Sequence, residues 1–371
     1  MPEILILCEY ATLNGGERSM LATLDGVRAG GFTPAVIAPP DGPLAVELAT
    51  RGFELIPFQC RAADGSRIPQ NRLREELVEI LRRRRPALLH ANSLAMGRLS
   101  GPVAVECRLP SVAHLRDIIG LSAQAVADLN CHRRLLAVSQ ATREFHVAHG
   151  LDGKKTHVLY NGVDLQQFRP RTPTGYLQRE LGLSADAQLI GNIGQIGLRK
   201  GQNMLLHAAA LIADRSPNVH YLIVGERNSD KAESRQFERT LSDAVCGHLA
   251  GRVHFLGRRA DIPVLLNEFT LLVHSARQEP LGRVLLEAAA TGLAIVATDV
   301  GGTREILPQK TAARLVPPDG TDVLAAAILE LLQDSELRGR LGAAARRCAE
   351  EQFNIQRSVD NLVQHYRAAM E

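Results

Sequence analysis

The chain has 371 residues, 45% of them apolar and 22% charged, with a formal net charge of +3. That length holds two domains of ordinary size, and the composition is that of a soluble globular protein. The charge is too small to argue for nucleic acid, the lack of Trp excludes a sugar platform of stacked indoles, and no apolar run approaches the ~18 residues of a membrane span.

The six cysteines are scattered with no C-x-x-C spacing, so they read as buried free thiols of a cytosolic protein and not as a disulfide frame or zinc site. No cleavable signal precedes the first strand, which points to a cytoplasmic location.

Residues 4–8 form the first expected strand. The loop CEYATLNGGERSM follows, where Asn14, Gly15 and Gly16 are expected to turn tightly into a helix starting near Glu17. Met20, Leu21, Leu24 and Val27 then share one helical face. Further strands are expected at 35–38, 54–57, 87–90, 112–115 and 135–138. The basic run Arg82 to Arg85 ends a helix ahead of Pro86 and reads as a solvated face. These apolar strands alternating with amphipathic helices describe a parallel sheet covered on both sides.

The pattern breaks over residues 160–174, YNGVDLQQFRPRTPT, the best linker candidate. A second alternation follows, with strands at 189–193, 221–224, 253–256, 271–273, 295–297 and 314–316. A long helical tail runs from Asp322 through Met370. The expected architecture is α/β, two doubly wound Rossmann-like domains facing a deep cleft, with ligands bound where strands end and helices begin.

Three loops carry chemistry. In the first, Gly15 and Gly16 let a ligand approach the backbone beside a helix start, although an ordinary strand-to-helix turn accounts for them equally well. In the second, GNIGQIGLRKGQN, Gly194 and its fellow glycines loosen the backbone. Arg199 and Lys200 there place two cations ahead of a helix from Gln202, a layout suited to a diphosphate. The third is QEPLGRVLLEAAATG. Pro280 restricts Glu279 to extended geometry at a strand's end, and Gly282 lets phosphate approach the backbone at Gly282, Arg283 and Val284. Glu287 stands ~7.5 Å further along a helix axis, where a carboxylate could take both hydroxyls of a ribose.

Six segments in order resemble the retaining glycosyltransferases of the GT-B fold, specifically glycosyltransferase family 4: GGERSM, VSQATREF with LYNGVDLQQFRP, IGQIGLRKGQNMLLHAAA, VHFLGRRADIPVLL, EPLGRVLLE with its Glu-x7-Glu spacing, and TDVGGTREIL. The resemblance covers nearly the whole chain. It implies an acceptor-side domain of residues 1–168, joined by a C-terminal helix at about 354–371, and a donor-binding domain of 169–353. It implies a retaining hexosyl or related transferase that takes sugar from a UDP- or GDP-linked donor. The acceptor would be a glycan, a lipid-linked acceptor or a cell-envelope glycoconjugate, with at most peripheral contact with the inner membrane surface. Glu279 would contact the donor sugar, Glu287 the ribose, and Arg199 with Lys200 the leaving diphosphate. Backbone at Leu281, Gly282 and Arg283 would touch sugar and phosphate, and Arg258 would lie beside the base.

The family often has arginine where Gln195 stands, so one cation of its clamp is missing here or supplied by Arg199. Its histidine-bearing turn corresponds to SVAHLRDII, where either His114 or Arg116 could face the sugar; Arg116 is nearer the strand's end. No Asp-x-Asp occurs, so no cofactor or metal is called for. A nicotinamide dehydrogenase would need G-x-G-x-x-G and a P-loop enzyme G-x-x-x-x-G-K-[ST]; neither occurs. A non-catalytic sugar-binding protein has no use for Arg199 and Lys200. A sugar-nucleotide epimerase of the same fold would bind the same donor and is the closest alternative.

Overall fold

In the computed structural model, which describes residues 1–62, 64–308 and 311–371, the apolar runs become parallel strands because helices cover both of their faces. The chain divides into two units, Met1–Gly162 with Ile355–Glu371, and Val163–Asn354. Each is built on one sheet of Rossmann type.

The first unit holds β1 (Glu3–Leu7), β2 (Thr33–Ala38), β3 (Glu54–Pro57), β4 (Leu88–Ala91), β5 (Ser111–Leu115), β6 (Arg134–Ala137) and β7 (Thr156–Val158). Their spatial order is β3-β2-β1-β4-β5-β6-β7, with every pair parallel. Side chains alternate between faces. Leu5, Leu7, Leu89 and Leu135 pack with helices Gln70–Arg84, Leu94–Glu106 and Ala123–Asn130. Ile4, Ile6, Leu88, Val112 and Leu136 pack against helices Gly15–Ala29 and Ile355–Met370.

The second unit holds β8 (Gln188–Ile193), β9 (Val219–Val224), β10 (Val253–Gly257), β11 (Leu271–His274), β12 (Ile295–Thr298) and β13 (Arg314–Val316), ordered β10-β9-β8-β11-β12-β13. In both sheets the winding reverses beside the first strand, between β1 and β4 and between β8 and β11. In folds wound this way, ligands bind at the carboxyl ends of the strands beside that reversal.

Several expectations are corrected. Strand β7 was not anticipated; it is three residues long and pairs only with β6. The helical tail is three helices, Thr321–Gln333, Ser335–Gln352 and Ile355–Met370. The first break falls at Asp334, whose carboxylate accepts from the Leu337 amide at 2.8 Å and caps the second helix. Helix Gly15–Ala29 starts at Gly15 and not near Glu17, with Asn14 as its N-cap residue. The run Arg82 to Arg85 is not simply solvated: Arg84 is paired with Glu3 and Glu54, and Arg82 with Glu106 at 3.0 Å. All six cysteines are free, but only Cys8 is buried. Within the linker stretch, Val163 pairs with Asn354, and the Phe168 carbonyl accepts from Arg346 Nη1 at 2.9 Å.

Candidate active site

In the second unit, the loops after β8 and β11 meet where the sheet's winding reverses. Leu198–Lys200 forms a 3-10 turn that hands over at Gly201 to helix Gln202–Ile212. Gly201 has φ +62°, and a Cβ there would stand 2.1 Å from the Ser275 carbonyl oxygen, so only glycine lets the two loops touch. Ser275 Oγ donates to the Gly201 carbonyl at 2.9 Å, and the Arg277 amide donates to the Arg199 carbonyl at 2.8 Å. The fully buried Gln202 braces the loop from inside, donating through Nε2 to the Gln195 carbonyl at 3.0 Å.

That bracing aims Lys200 at Glu279. The Lys200 ammonium is ion-paired with Glu279 Oε2, and His274 Nε2 donates to the same oxygen at 2.9 Å. Glu279 is only 6% exposed. Burial alone would raise its pKa, but the Lys200 charge and the His274 hydrogen bond outweigh it and hold the carboxyl well below its ordinary value. Burial depresses His274, which stays a neutral donor. Glu279 is thus an ionised carboxylate with one oxygen saturated, while Oε1 takes no hydrogen bond among the described residues. Its backbone is fixed too, the Glu279 carbonyl accepting from the Gly302 amide at 3.1 Å.

Gly282 then starts helix Arg283–Thr291, with no side chain capping the helix. Its φ of +101° and the Leu285 side chain, 2.8 Å from where a Cβ would sit, require glycine whether or not a ligand approaches. Leu281 and Val284 bury their side chains, so a ligand could reach only their backbone. Glu287 is joined to Arg283, four residues before it, by an ion pair of 2.8 Å.

The remaining positions lie nearby in sequence but differ in setting. Arg199 has an exposed side chain, unlike its neighbour Lys200. The Gly194 amide donates to the Val224 carbonyl at 2.9 Å, fixing the loop to β9. Arg258 follows β10, exposed, its amide donating to Glu226 Oε1 at 3.2 Å.

In the first unit, Arg116 lies just past β5. Its Nε donates to the Asn92 carbonyl at 2.9 Å, Nη2 to Asn92 Oδ1 at 2.8 Å and Nη1 to Asn161 Oδ1 at 3.1 Å. Gly16 packs against it: a Cβ at that position would be 3.3 Å from Arg116 Cδ. Gly15 opens the same helix. His114 and Arg116 do share a side, with Arg116 Nη2 3.3 Å from His114 Nδ1, but His114 is buried at 4% exposure. Glu17, also buried here, has its carboxyl pushed up by desolvation.

Sequence reasoning missed His274, Arg277, Asn92, Asn161 and Glu17. His274 carried one readable signal: a histidine ending an apolar strand, five residues before a candidate acid. Among the described residues, no three His, Cys, Asp or Glu side chains gather to hold a metal ion, and no helix is long and apolar enough to cross a membrane.

Comparison with known proteins agrees with this layout. Residues 13–167 match the family model described as Glycosyltransferase Family 4, and residues 187–334 the one described as Glycosyl transferases group 1. Spore coat protein SA of Bacillus subtilis is 32% identical over 57% of this chain and 58% of that protein. The D-inositol 3-phosphate glycosyltransferase of Jonesia denitrificans is 31% identical over 56% of this chain and 50% of that protein. The chain thus spans about half the length of the curated relatives it matches. The crystal structure of Anabaena Alr3699/HepE in complex with UDP and glucose superposes with a TM-score of 0.86 at 24% identity, covering 99% of this chain and 100% of that one. That likeness concerns the fold. With a family 4 match followed by a group 1 match, each on its own doubly wound sheet, the chain has the GT-B fold and resembles glycosyltransferase family 4.

Proposed function

We propose that this protein transfers a sugar from a UDP- or GDP-linked donor to a hydroxyl of a glycan, lipid-linked or cell-envelope acceptor, with retention of anomeric configuration and no metal requirement. The observation that carries the reading is the buried, ionised Glu279, saturated on one oxygen by Lys200 and His274 and open on the other, beside a helix begun by glycine. The solved Anabaena protein in complex with UDP-glucose, similar in fold, supports a nucleotide-sugar donor.

In this reading Glu279 Oε1 accepts from a hydroxyl of the transferred sugar. Lys200, Arg199 and the amides at Gly282, Arg283 and Val284 receive the diphosphate, Glu287 the ribose hydroxyls, and Arg258 flanks the base. In the first unit, Arg116 and the backbone at Gly15 and Gly16 are assigned to substrate. The bond from the sugar's anomeric carbon to phosphate oxygen breaks, and the electron pair leaves with the nucleoside diphosphate. The acceptor oxygen attacks the same face, and its proton passes to the departing phosphate oxygen. Cations and helix amides already in place stabilise the negative charge as it grows on the diphosphate.

Nucleotide-sugar turnover measured with and without candidate acceptors, in buffer with and without chelator, tests this. A transferase releases nucleoside diphosphate quickly only with acceptor present, and chelator leaves the rate unchanged. Equilibration of the donor sugar without acceptor would instead identify an epimerase, and complete, metal-reversible inhibition would refute the metal-free step.

A further inference from the structure

A cleft of about 400 Å³ lies at the edge of the first sheet, at the amino ends of β6 and β7. That volume is in the range of small-molecule sites. Arg133, Arg134, Lys154, Lys155 and His157 line it, and Glu371 is the one acidic residue among the described lining. Arg116 and the Gly15–Gly16 turn follow the carboxyl ends of their strands, so the cleft is at the other end of the same sheet.

Arg134 opens β6 on the same face as Leu136, whose side chain belongs to the core under helix Ile355–Met370. It is half-buried, and its Nη1 donates to His157 Nε2 at 3.2 Å and to His365 Nδ1 at 3.3 Å. A guanidinium has hydrogens to give and no lone pair to offer, so the ring nitrogens facing it are both bare. Burial, helped by the Arg134 charge, keeps the rings neutral: His157 lies below its ordinary value and His365 is depressed to about 4. The neighbouring cations are also held by neutral acceptors. Arg133 Nη1 donates to the Ala369 carbonyl at 2.8 Å, and Lys155 Nζ to the Asn130 carbonyl at 2.7 Å. Asp152, two residues before Lys154, turns its Oδ1 to that residue's amide at 2.8 Å. Among the described residues, none of the four cations is paired with a carboxylate.

Other half-buried arginines of this protein sit on acids: Arg84 on Glu3 and Glu54, Arg74 on Asp128, Arg259 on Glu180 and Asp261. Taking a cation partly out of water without a counter-ion is costly, and an acid in place of His365 would have supplied one. Neutral acceptors fix the geometry of Arg134 and leave its charge uncompensated. We propose that the cleft binds a soluble small molecule through a phosphate or diphosphate group, received by Arg133, Arg134, Lys154 and Lys155. Four cations around one cleft match an anion of more than one charge, which phosphate is and a carboxylate is not. A membrane contact would add apolar side chains to insert, and no exposed large apolar residue lines the cleft. The site is independent of the transferase reading.

The test titrates the full chain, histidine-labelled with 15N, with pyrophosphate at constant pH and ionic strength. His157 and His365 are assigned by the signals lost in His157→Gln and His365→Gln. Both ring signals should shift and saturate, while sodium chloride in place of pyrophosphate leaves them unmoved. Lys200→Ala, which removes a cation of the second unit, should give the parental titration. Lys154→Glu, at an exposed position, replaces an attraction by a repulsion and should weaken binding about tenfold. Arg134→Gln keeps N–H groups for the two histidines and should weaken it by about tenfold or more. Ring signals that ignore pyrophosphate overturn the proposal, and so do shifts that are lost in Lys200→Ala or unchanged in Lys154→Glu. Should Arg134→Gln fail to fold, Lys154→Glu decides. Cosedimentation with phosphatidylglycerol vesicles that needs Lys154, without any response to pyrophosphate, would make the cleft a membrane contact and overturn the soluble ligand.

Discussion

Replacing Glu279 with Gln removes one charge and almost no volume. Glu279 and Lys200 have side-chain exposures of 8% and 17%, so the variant leaves a largely buried ammonium without its counter-ion. Breaking such a pair from one side costs about 3–5 kcal/mol. In a unit of this size, ~1 kcal/mol moves Tm by about 2–4 °C, so the donor-side transition should fall by about 6–20 °C. The binding consequence has the opposite sign. An ammonium ~4 Å from a phosphate charge gains at most ~4 kcal/mol in a partly screened site. The freed Lys200 should therefore hold UDP or GDP at least as tightly as before, and saturating nucleotide should raise Tm more in the variant than in the parent. Turnover should drop by at least ~10²-fold, because an amide cannot oppose the positive charge that develops on the sugar. Calorimetric unfolding, nucleotide titration and donor turnover, each measured on parent and variant, supply the readouts. A Tm change under about 2 °C would mean that the pair is not buried in solution. A tenfold loss of nucleotide affinity would put Glu279 on the phosphate side and refute the assignment.

Lys200→Ala should weaken nucleoside diphosphate binding far more than nucleoside binding; equal losses would contradict a phosphate contact. Gly201→Ala forces a side chain into the left-handed region and against the Ser275 carbonyl, so it should cost more than the ~1–3 kcal/mol of backbone strain alone and displace Lys200. A variant with parental Tm and nucleotide affinity would show that the loops do not touch. Acid should loosen the first unit through His90 and His132, which burial depresses to about 3 and about 4. An unfolded chain takes up protons at these positions below its ordinary value near 6.5, whereas the folded one refuses them. Stability is then complete above that pH and is lost as pH falls from about 6.5 toward 4, at up to ~2.7 kcal/mol per pH unit for the two rings together. Urea midpoints at pH 7 and pH 5 that coincide would show that the rings are not held neutral.

The sheet cores were legible because each strand is a continuous apolar run between helical patterns, and all six strands of the second unit were expected from that signal. Strand β7, Thr156–Val158, was not: its side chains are only partly buried beyond Thr156, so no apolar run marks it. Glycines were read correctly as special but for an incomplete reason, since Gly282 is demanded by its own φ before any phosphate is considered. The pairing of Lys200 with Glu279 joins residues 79 positions apart, and nothing in either segment names the other. The hydrogen bond between Tyr366 and His90 spans 276 positions, and a lone histidine on an apolar strand reads as ordinary core. Local patterns mark where a strand stops and a helix starts. Partnerships across loops depend on strand order, which the alternation alone leaves open.

The return of helix Ile355–Met370 to the first unit has a consequence for biosynthesis. Val359, Leu362, Val363, Tyr366 and Ala369 belong to the core that covers β1 and β4, yet they are made after the whole of the second unit. The second unit is one uninterrupted stretch and can close while the ribosome is still at work. The first must wait with part of one side of its sheet uncovered until residues 355–371 have been made, so the order of maturation reverses the order of synthesis. A nascent chain stalled before residue 355 should bind a hydrophobic-surface dye or a holdase chaperone through its first unit, and lose that binding once helix Ile355–Met370 emerges.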